Sequence, residues 1–180
     1  MTPEITLLPP SAAADEELVG AVTALVNQVY ATAEAGLWAG PADRTSAAEI
    51  AGLVRAGEIA VTRLGGRLAG SVRVRRLADG AGEFGLLAAA PDVRGAGIGR
   101  ALVRFAEGRC RSGGCAEMQL ELLVPRGWKH PSKEFLAGWY GRLGYRVVRT
   151  ASIGQAYPHL APLLATPCDF LVYRKDLTAG

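Results

Sequence analysis

At 180 residues the chain suits one domain, long enough to bury roughly 70% of its unfolded surface. Lys and Arg number 20 against 17 Asp and Glu, and the basic residues are scattered, so the net charge of +3 excludes a nucleic-acid footprint. No run of 18 apolar residues and no basic-then-apolar leader occurs, so the sequence predicts neither a membrane span nor a signal peptide.

Ile5–Leu8 is a short strand candidate ended by Pro9-Pro10. Asp15 is a plausible N-cap for a helix marked by Leu18, Val22, Leu25, Val26 and Val29. After the loop Gly36–Pro41, Ser46 and Glu49 form a capping box ahead of a second, short helix through Ile50, Leu53 and Val54. Glu58–Leu64 and Arg67–Leu77 read as strands joined by the hairpin signal Gly65-Gly66. A strand at Glu83–Ala90 leads through a glycine turn into a helix ending near Gly113-Gly114, and then into a strand at Glu117–Val124. That order is a βαβ unit, so the two strands should be parallel. Phe135, Leu136, Trp139, Tyr140 and Leu143 line a further helix closed by Gly144. Tyr145–Thr150 is a strand, Ala156–Ala165 is weakly helical, and Phe170–Lys175 is the last strand. No repeat, low-complexity tract or linker interrupts residues 1–180, which read as a single domain.

The stretch Arg94-Gly95-Ala96-Gly97-Ile98-Gly99-Arg100 carries the most chemistry. Its glycines permit close backbone approach, and the stripe Ile98, Ala101, Leu102, Phe105, Ala106 starts a helix at once. The first helical N–H groups lack internal acceptors and lie at the positive dipole end, where Arg94 and Arg100 add like charge. A bound phosphate would resolve that conflict; the alternative is a solvated glycine-rich turn. The spacing G-x-G-x-G excludes the dinucleotide fingerprint, and Arg100-Ala101 after Gly99 excludes a Walker loop.

Arg94, Gly97 and Gly99 read as R-x-x-G-x-G behind a strand and before a helix, which resembles the acetyl-CoA pyrophosphate site of the GNAT superfamily of N-acetyltransferases. Trp139-Tyr140-Gly141-Arg142-Leu143-Gly144-Tyr145 is similar to the family's Leu-Tyr-x-x-x-Gly-Phe segment. The resemblance spans nearly the whole chain. It implies a mixed α/β fold of α+β type: a mostly antiparallel twisted sheet of about seven strands, one parallel pair splayed, flanked by about four helices. Acetyl-CoA is the implied cosubstrate, held by the backbone of Leu87, Ala88 and Ala89 and by the turn Arg94, Gly95, Ala96, Gly97, Ile98, Gly99, Arg100. No metal is implied.

Transfer to an amine needs the ammonium to lose its proton, which costs about 4–5 kcal/mol at neutral pH from a pKa near ~10.4. A general base is therefore expected. Glu83, six residues before Ala89, stands where some relatives place a catalytic glutamate, and strand alternation puts it on one face with Gly85 and Leu87 unless a bulge shifts the register. Glu121 competes from the polar face of the next strand; either carboxylate can equally be solvated. Tyr140 matches the tyrosine that protonates departing CoA in many relatives, although it shares a face with Leu136 and Leu143 and fits a core position too. Family members often carry asparagine where this chain has Lys133, which either meets the cofactor differently or marks a shifted helix capped by Ser132. His130 reads as a surface-loop residue before a second base. Trp38 and Trp128 are candidates for walls of an acceptor pocket, or for packing anchors.

Cys110, Cys115 and Cys168 lie outside the expected cleft and lack a CxxC pair, which disfavours an acyl-cysteine route and predicts reduced thiols in the cytoplasm. With only His130 and His159 to help, a metal site is not expected. The implied partners are acetyl-CoA and an unidentified, small primary amine; homodimerisation stays open. Rival readings are a catalytically weak acyl-CoA-binding regulatory module, and an acetyltransferase of protein lysines or N-termini.

Overall fold

The computed structural model describes residues 2–179. The strands are β1 (Ile5–Leu7), β2 (Ile59–Leu64), β3 (Arg67–Arg76), β4 (Gly82–Ala89), β5 (Glu117–Pro125), β6 (Arg146–Ser152) and β7 (Cys168–Asp176). The α-helices are α1 (Glu16–Ala33), α2 (Ala47–Arg55), α3 (Ile98–Ser112), α4 (Pro131–Arg142) and the short α5 (Ile153–Ala156). One sheet of seven strands runs β1-β2-β3-β4-β5-β7-β6, antiparallel except for the β4/β5 pair. This is the mixed sheet that the motifs implied. No helix among the described residues is long and apolar enough to cross a membrane.

Local chemistry explains the boundaries. Asp15 caps α1 by accepting from the Leu18 N–H at 3.0 Å. Ser46 caps α2 through the Glu49 N–H at 3.1 Å, but the Glu49 carboxylate turns to the Thr45 hydroxyl at 2.7 Å, so only half of the expected capping box forms. Gly65 and Gly66 both take positive φ, as the two-residue hairpin between β2 and β3 requires. Pro131 is the first residue of α4, and His130, not Ser132, is its cap: His130 Nδ1 accepts from the Ser132 N–H at 3.2 Å. The weakly helical Ala156–Ala165 gives only the end of α5 and a 3-10 turn at Ala161–Leu163. Pro158 and Pro162 remove the N–H groups a continuous helix would need.

The sheet has a layer on each face. α1 and α2 bury Val22, Val26, Ile50 and Val54 against Ile59, Val61, Leu86 and Ala88. On the other face, Ile98, Leu102 and Ala106 of α3 and Tyr140 of α4 pack with Val72, Phe84 and Met118. Phe135, expected on the buried stripe of α4, is instead 65% exposed. A third cluster of Leu37, Leu123, Ile153 and Cys168 seats the α1–α2 loop against the β6–β7 connection, where Trp38 bridges to Leu164.

β4 is irregular at one place. Arg73 opposes Gly85 and Ser71 opposes Ala88, so β4 carries one residue more than β3 across that interval. Leu86 absorbs it at φ 47, the only non-glycine residue with positive φ among the described residues, a conformation that costs on the order of 1–3 kcal/mol. The bulge corrects the expected alternation: Leu87 and Ala89 pack on the α3/α4 face with Phe84, while Leu86 and Ala88 pack on the α1 face. Glu83 and Leu87 therefore do not share a face.

Candidate active site

The bulge coincides with an opening in the sheet. β4 and β5 pair only at Gly82↔Met118 and Glu83↔Gln119, and from Phe84 onward the two strands part. β3 continues to pair with Ala88 and Ala89, so the β4 edge left unpaired is the one facing β5. β5 meanwhile stays fully paired with β7, from Glu117↔Asp176 to Pro125↔Cys168. The result is a wedge whose β4 wall offers free backbone N–H and C=O groups to an incoming chain.

The glycine turn lies just beyond this wall. Gly95 has φ 88 and Gly97, the N-cap of α3, has φ 77, both in the left-handed region that favours glycine. The N–H groups of Gly95, Gly97, Ile98, Gly99 and Arg100 meet no acceptor among the described residues. Arg94 and Arg100 are exposed beside them. A Cβ on Gly95 or Gly97 would meet nothing within 4 Å, so these glycines serve backbone conformation and access rather than packing. Gly99 differs: its Cβ would stand 3.4 Å from the Trp139 ring, which brings α4 against the start of α3.

Tyr140 is 6% exposed, within an aromatic group of Phe84, Tyr145 and Tyr173 at centroid distances of 6.0, 6.2 and 6.2 Å. Burial, with the neighbouring phenols of Tyr30 and Tyr173, pushes its pKa well above the ordinary value, so the hydroxyl stays protonated. That hydroxyl donates to no protein acceptor among the described residues, and it is not sealed: the only sealed, unpartnered side-chain N or O there is Ser71 Oγ.

The two candidate carboxylates sit on neighbouring strands. Glu83 Oε1 pairs with Arg75 at 2.6 Å, and its Oε2 accepts from Gln119 at 3.0 Å. Glu121 Oε2 accepts from the Tyr157 hydroxyl at 2.7 Å. Burial and that carboxylate push the Tyr157 pKa up to about 12, and the Glu83 and Arg75 charges are also felt there. Glu83, Arg75, Glu121 and Tyr157 thus form one polar group below the wedge.

Lys133 is buried, its Nζ 3.4 Å from Glu34 Oε2, and Arg44 stands 3.8 Å from the other Glu34 oxygen. Burial lowers the Lys133 pKa, and Glu34 opposes that shift. Its ammonium is directed to the α1–α4 junction, not to the glycine turn. His130, expected on the surface, is buried with both nitrogens occupied: Nδ1 accepts the cap bond and Nε2 donates to the Ala35 carbonyl at 2.9 Å. A ring so engaged has no free nitrogen for a substrate proton. Trp38 packs in the third cluster. Trp128 is 41% exposed, donates to Thr166 Oγ1 at 3.2 Å and lies against Gly36. Both indoles border the same loop pair. A wide groove of about 810 Å³ at the opposite end of α3, lined by Glu58, Arg76, Arg109 and Cys110, includes none of these residues except by way of Arg75.

Tyr30, Glu34 and Arg44 were not singled out in the sequence. Tyr30 and Glu34 lie one turn apart at the end of α1, with the Arg44 guanidinium 5.3 Å over the Tyr30 ring. The spacing Tyr30-x-x-x-Glu34 was the one available signal.

The family model for the GNAT acetyltransferase domain matches residues 55–147, just over half of the chain. The protein therefore belongs to the GNAT acetyltransferase family. No curated protein matches the sequence. Among solved structures, a PaiA N-acetyltransferase from Thermoplasma acidophilum in complex with coenzyme A is 16% identical, with TM-score 0.70 over 98% of this chain and 99% of that one. The ribosomal-protein-S18-alanine N-acetyltransferase of Escherichia coli is 16% identical, with TM-score 0.66 over 97% of this chain and 94% of that one. An N-acetylglutamate synthase from Neisseria gonorrhoeae, with coenzyme A and N-acetyl-glutamate, is 16% identical with TM-score 0.65; it matches 98% of this chain, which spans only 35% of the synthase. At such identities the likeness establishes the fold.

Proposed function

We propose that this protein is an acetyl-CoA-dependent N-acetyltransferase that transfers the acetyl group directly to a primary amine of a small acceptor in the cytoplasm. The observation that carries this is the glycine turn, whose unpaired N–H groups stand beside the open wedge between β4 and β5. A diphosphate accepts from those groups at the positive end of α3, with Arg94 and Arg100 supplying counter-charge. From there the pantetheine runs along the free edge of Leu87, Ala88 and Ala89, and the thioester reaches Tyr140. Relatives of this fold crystallised with coenzyme A support the choice of cosubstrate.

The amine nitrogen attacks the thioester carbon, the C–S bond breaks, and Tyr140 donates its proton to the leaving sulfur. The proton lost by nitrogen passes through water toward Glu83, with Glu121 beside it attracting the cationic acceptor. The three loops carrying Trp38, Trp128 and Tyr157 cover this side, which favours a small acceptor over an extended peptide. The free thiols of Cys110, Cys115 and Cys168 are compatible with a cytoplasmic setting.

Calorimetric titration with CoA tests the carrying observation. Arg94→Ala removes a charge-assisted contact worth about 1.5–3 kcal/mol, so affinity should fall roughly tenfold to a hundredfold. Gly97→Val strains the left-handed N-cap and obstructs the phosphate, and should weaken binding at least as much. Unchanged affinity in folded forms of both variants overturns the assignment.

A further inference from the structure

A row of polar side chains crosses the sheet at the foot of the wedge. Arg75 of β3 stands opposite Glu83 of β4, Glu83 opposite Gln119 of β5, and Gln119 opposite Arg174 of β7. Each neighbouring pair in that row is hydrogen-bonded. Arg75 donates twice to Glu83 Oε1, from Nε at 2.8 Å and from Nη2 at 2.6 Å, and Gln119 Nε2 donates to Glu83 Oε2 at 3.0 Å. Arg174 Nε donates to Gln119 Oε1 at 3.1 Å, while its Nη1 and Nη2 reach Glu117 at 2.8 Å and Asp79 at 2.6 Å. Glu83↔Gln119 is also the last pairing before β4 and β5 part.

We propose that Gln119 is a positioning residue for Glu83, its amide orientation fixed from the far side by Arg174. The proposal rests on the reading of Glu83 as the proton acceptor of the transfer reaction. An amide offers a carbonyl oxygen and an NH2 group, whereas a guanidinium offers donors only. Arg174 therefore takes the oxygen of Gln119, and the NH2 group is left for Glu83. Both neighbours of Glu83 in the row then present donors and nothing else. Among the described residues Oε1 is filled by the two Arg75 bonds, and Oε2, with its one bond from Gln119, keeps a free lone pair.

That asymmetry directs the proton. Water carries it from the amine nitrogen, an O–H bond forms at Oε2, and the carboxylate becomes a neutral acid. The acid can pass the proton to neither neighbour, because Arg75 has no acceptor and the carbonyl oxygen of Gln119 is engaged by Arg174. It leaves through the water that brought it, and Glu83 is a carboxylate again for the next turnover. A reversed amide would set its oxygen against the carboxylate and its NH2 group against the guanidinium. Gln119 is only 5% exposed, so both contacts would be shielded from water and costly.

A double-mutant cycle with butylamine as the acceptor, read by release of CoA thiol from acetyl-CoA, tests the role. Gln119→Leu should lower kcat about 10–10²-fold, the scale of a misaimed base, with the KM of butylamine and the calorimetric Kd for CoA little changed. In the Glu83→Gln background the same substitution should cost no further rate, because the group it aims is gone. Arg174→Met, nearer the surface, should act in the same sense by a smaller factor and lose its effect in that background. Side-chain ¹⁵N spectra add a check independent of any acceptor: the Gln119 NH2 signal should move in both Arg174→Met and Glu83→Gln. An unmoved signal overturns the fixed amide. Equal loss of kcat in both backgrounds marks a structural residue and overturns the proposal, as does full kcat in Gln119→Leu and Arg174→Met. If Gln119→Leu does not fold, the Arg174→Met cycle decides. Full kcat in Glu83→Gln refutes the underlying reading of Glu83 as the base instead.

Discussion

At the residue scale, Tyr140 separates packing from chemistry. Its ring is held by Phe84, Trp139, Tyr145 and Tyr173, with Trp139 at 5.1 Å, so Tyr140→Phe leaves the cluster intact and deletes only the unpartnered hydroxyl. If the hydroxyl acts only in the transition state, kcat falls at least about tenfold with little change in CoA affinity, as steady-state rates and calorimetry will show. Full kcat returns Tyr140 to the core. The carboxylates need a paired experiment, because Glu83 is bound by Arg75 and Gln119 whereas Glu121 is bound by a phenol. Glu83→Gln should lower kcat and displace the acidic limb of the pH–rate profile; Glu121→Gln should mainly raise the KM of the amine. The reverse pattern gives the base to Glu121. The glycine turn and Tyr140 were legible because short spacings carry them. Tyr30, Glu34 and Arg44 were not, since their meeting with Lys133 depends on how the end of α1 docks on the start of α4, and no local pattern encodes that contact.

Among the elements, β4 decides the site. Its ends were readable from apolar content and flanking turns, but Glu83–Ala90 reads as an unbroken strand, and the extra residue at Leu86 leaves only Gly85 as a cue. That one residue exchanges the faces of Leu86 and Leu87 within the stretch already parted from β5, so the least legible backbone feature decides which side chains face the wedge. α3 is fixed to this region by close contact with β3. A Cβ on Gly70 would lie 2.7 Å from Ile98 Cγ2, 2.9 Å from Leu102 Cδ1 and 3.1 Å from the Ala88 carbonyl oxygen. Gly70→Ala must displace the first turn of α3 or strain β4, and should cost about 1–3 kcal/mol of stability. Because Ile98 directly follows the glycine turn, CoA affinity should fall as well. Urea unfolding and calorimetry on the same variant measure both, and a variant as stable as the parent contradicts the tight α3–β3 approach.

For the whole molecule, the order of strands and helices was readable because amphipathic stripes, caps and hairpin glycines are local. The short helical pieces at Ile153–Ala156 and Ala161–Leu163 were blurred by prolines. The distribution of polar groups on aromatic rings was less legible, and it makes alkaline stability a global test of the architecture. All five tyrosines, Tyr30, Tyr140, Tyr145, Tyr157 and Tyr173, have pKa values raised chiefly by burial, with Tyr30 and Tyr157 at about 12. Each phenol is an acid whose folded pKa exceeds its unfolded value near ~10. Above that pH the unfolded chain loses these protons first, so it binds fewer than the folded one and stability falls as pH rises. The stabilising contribution is complete below about pH 10 and is lost through the folded pKa values above it. Tyrosinate absorbance should therefore stay low through pH 10 and then rise together with the loss of circular dichroism, in one cooperative step. Independent titration of the phenols near pH 10, with the fold still intact, would show that burial does not hold these hydroxyls protonated.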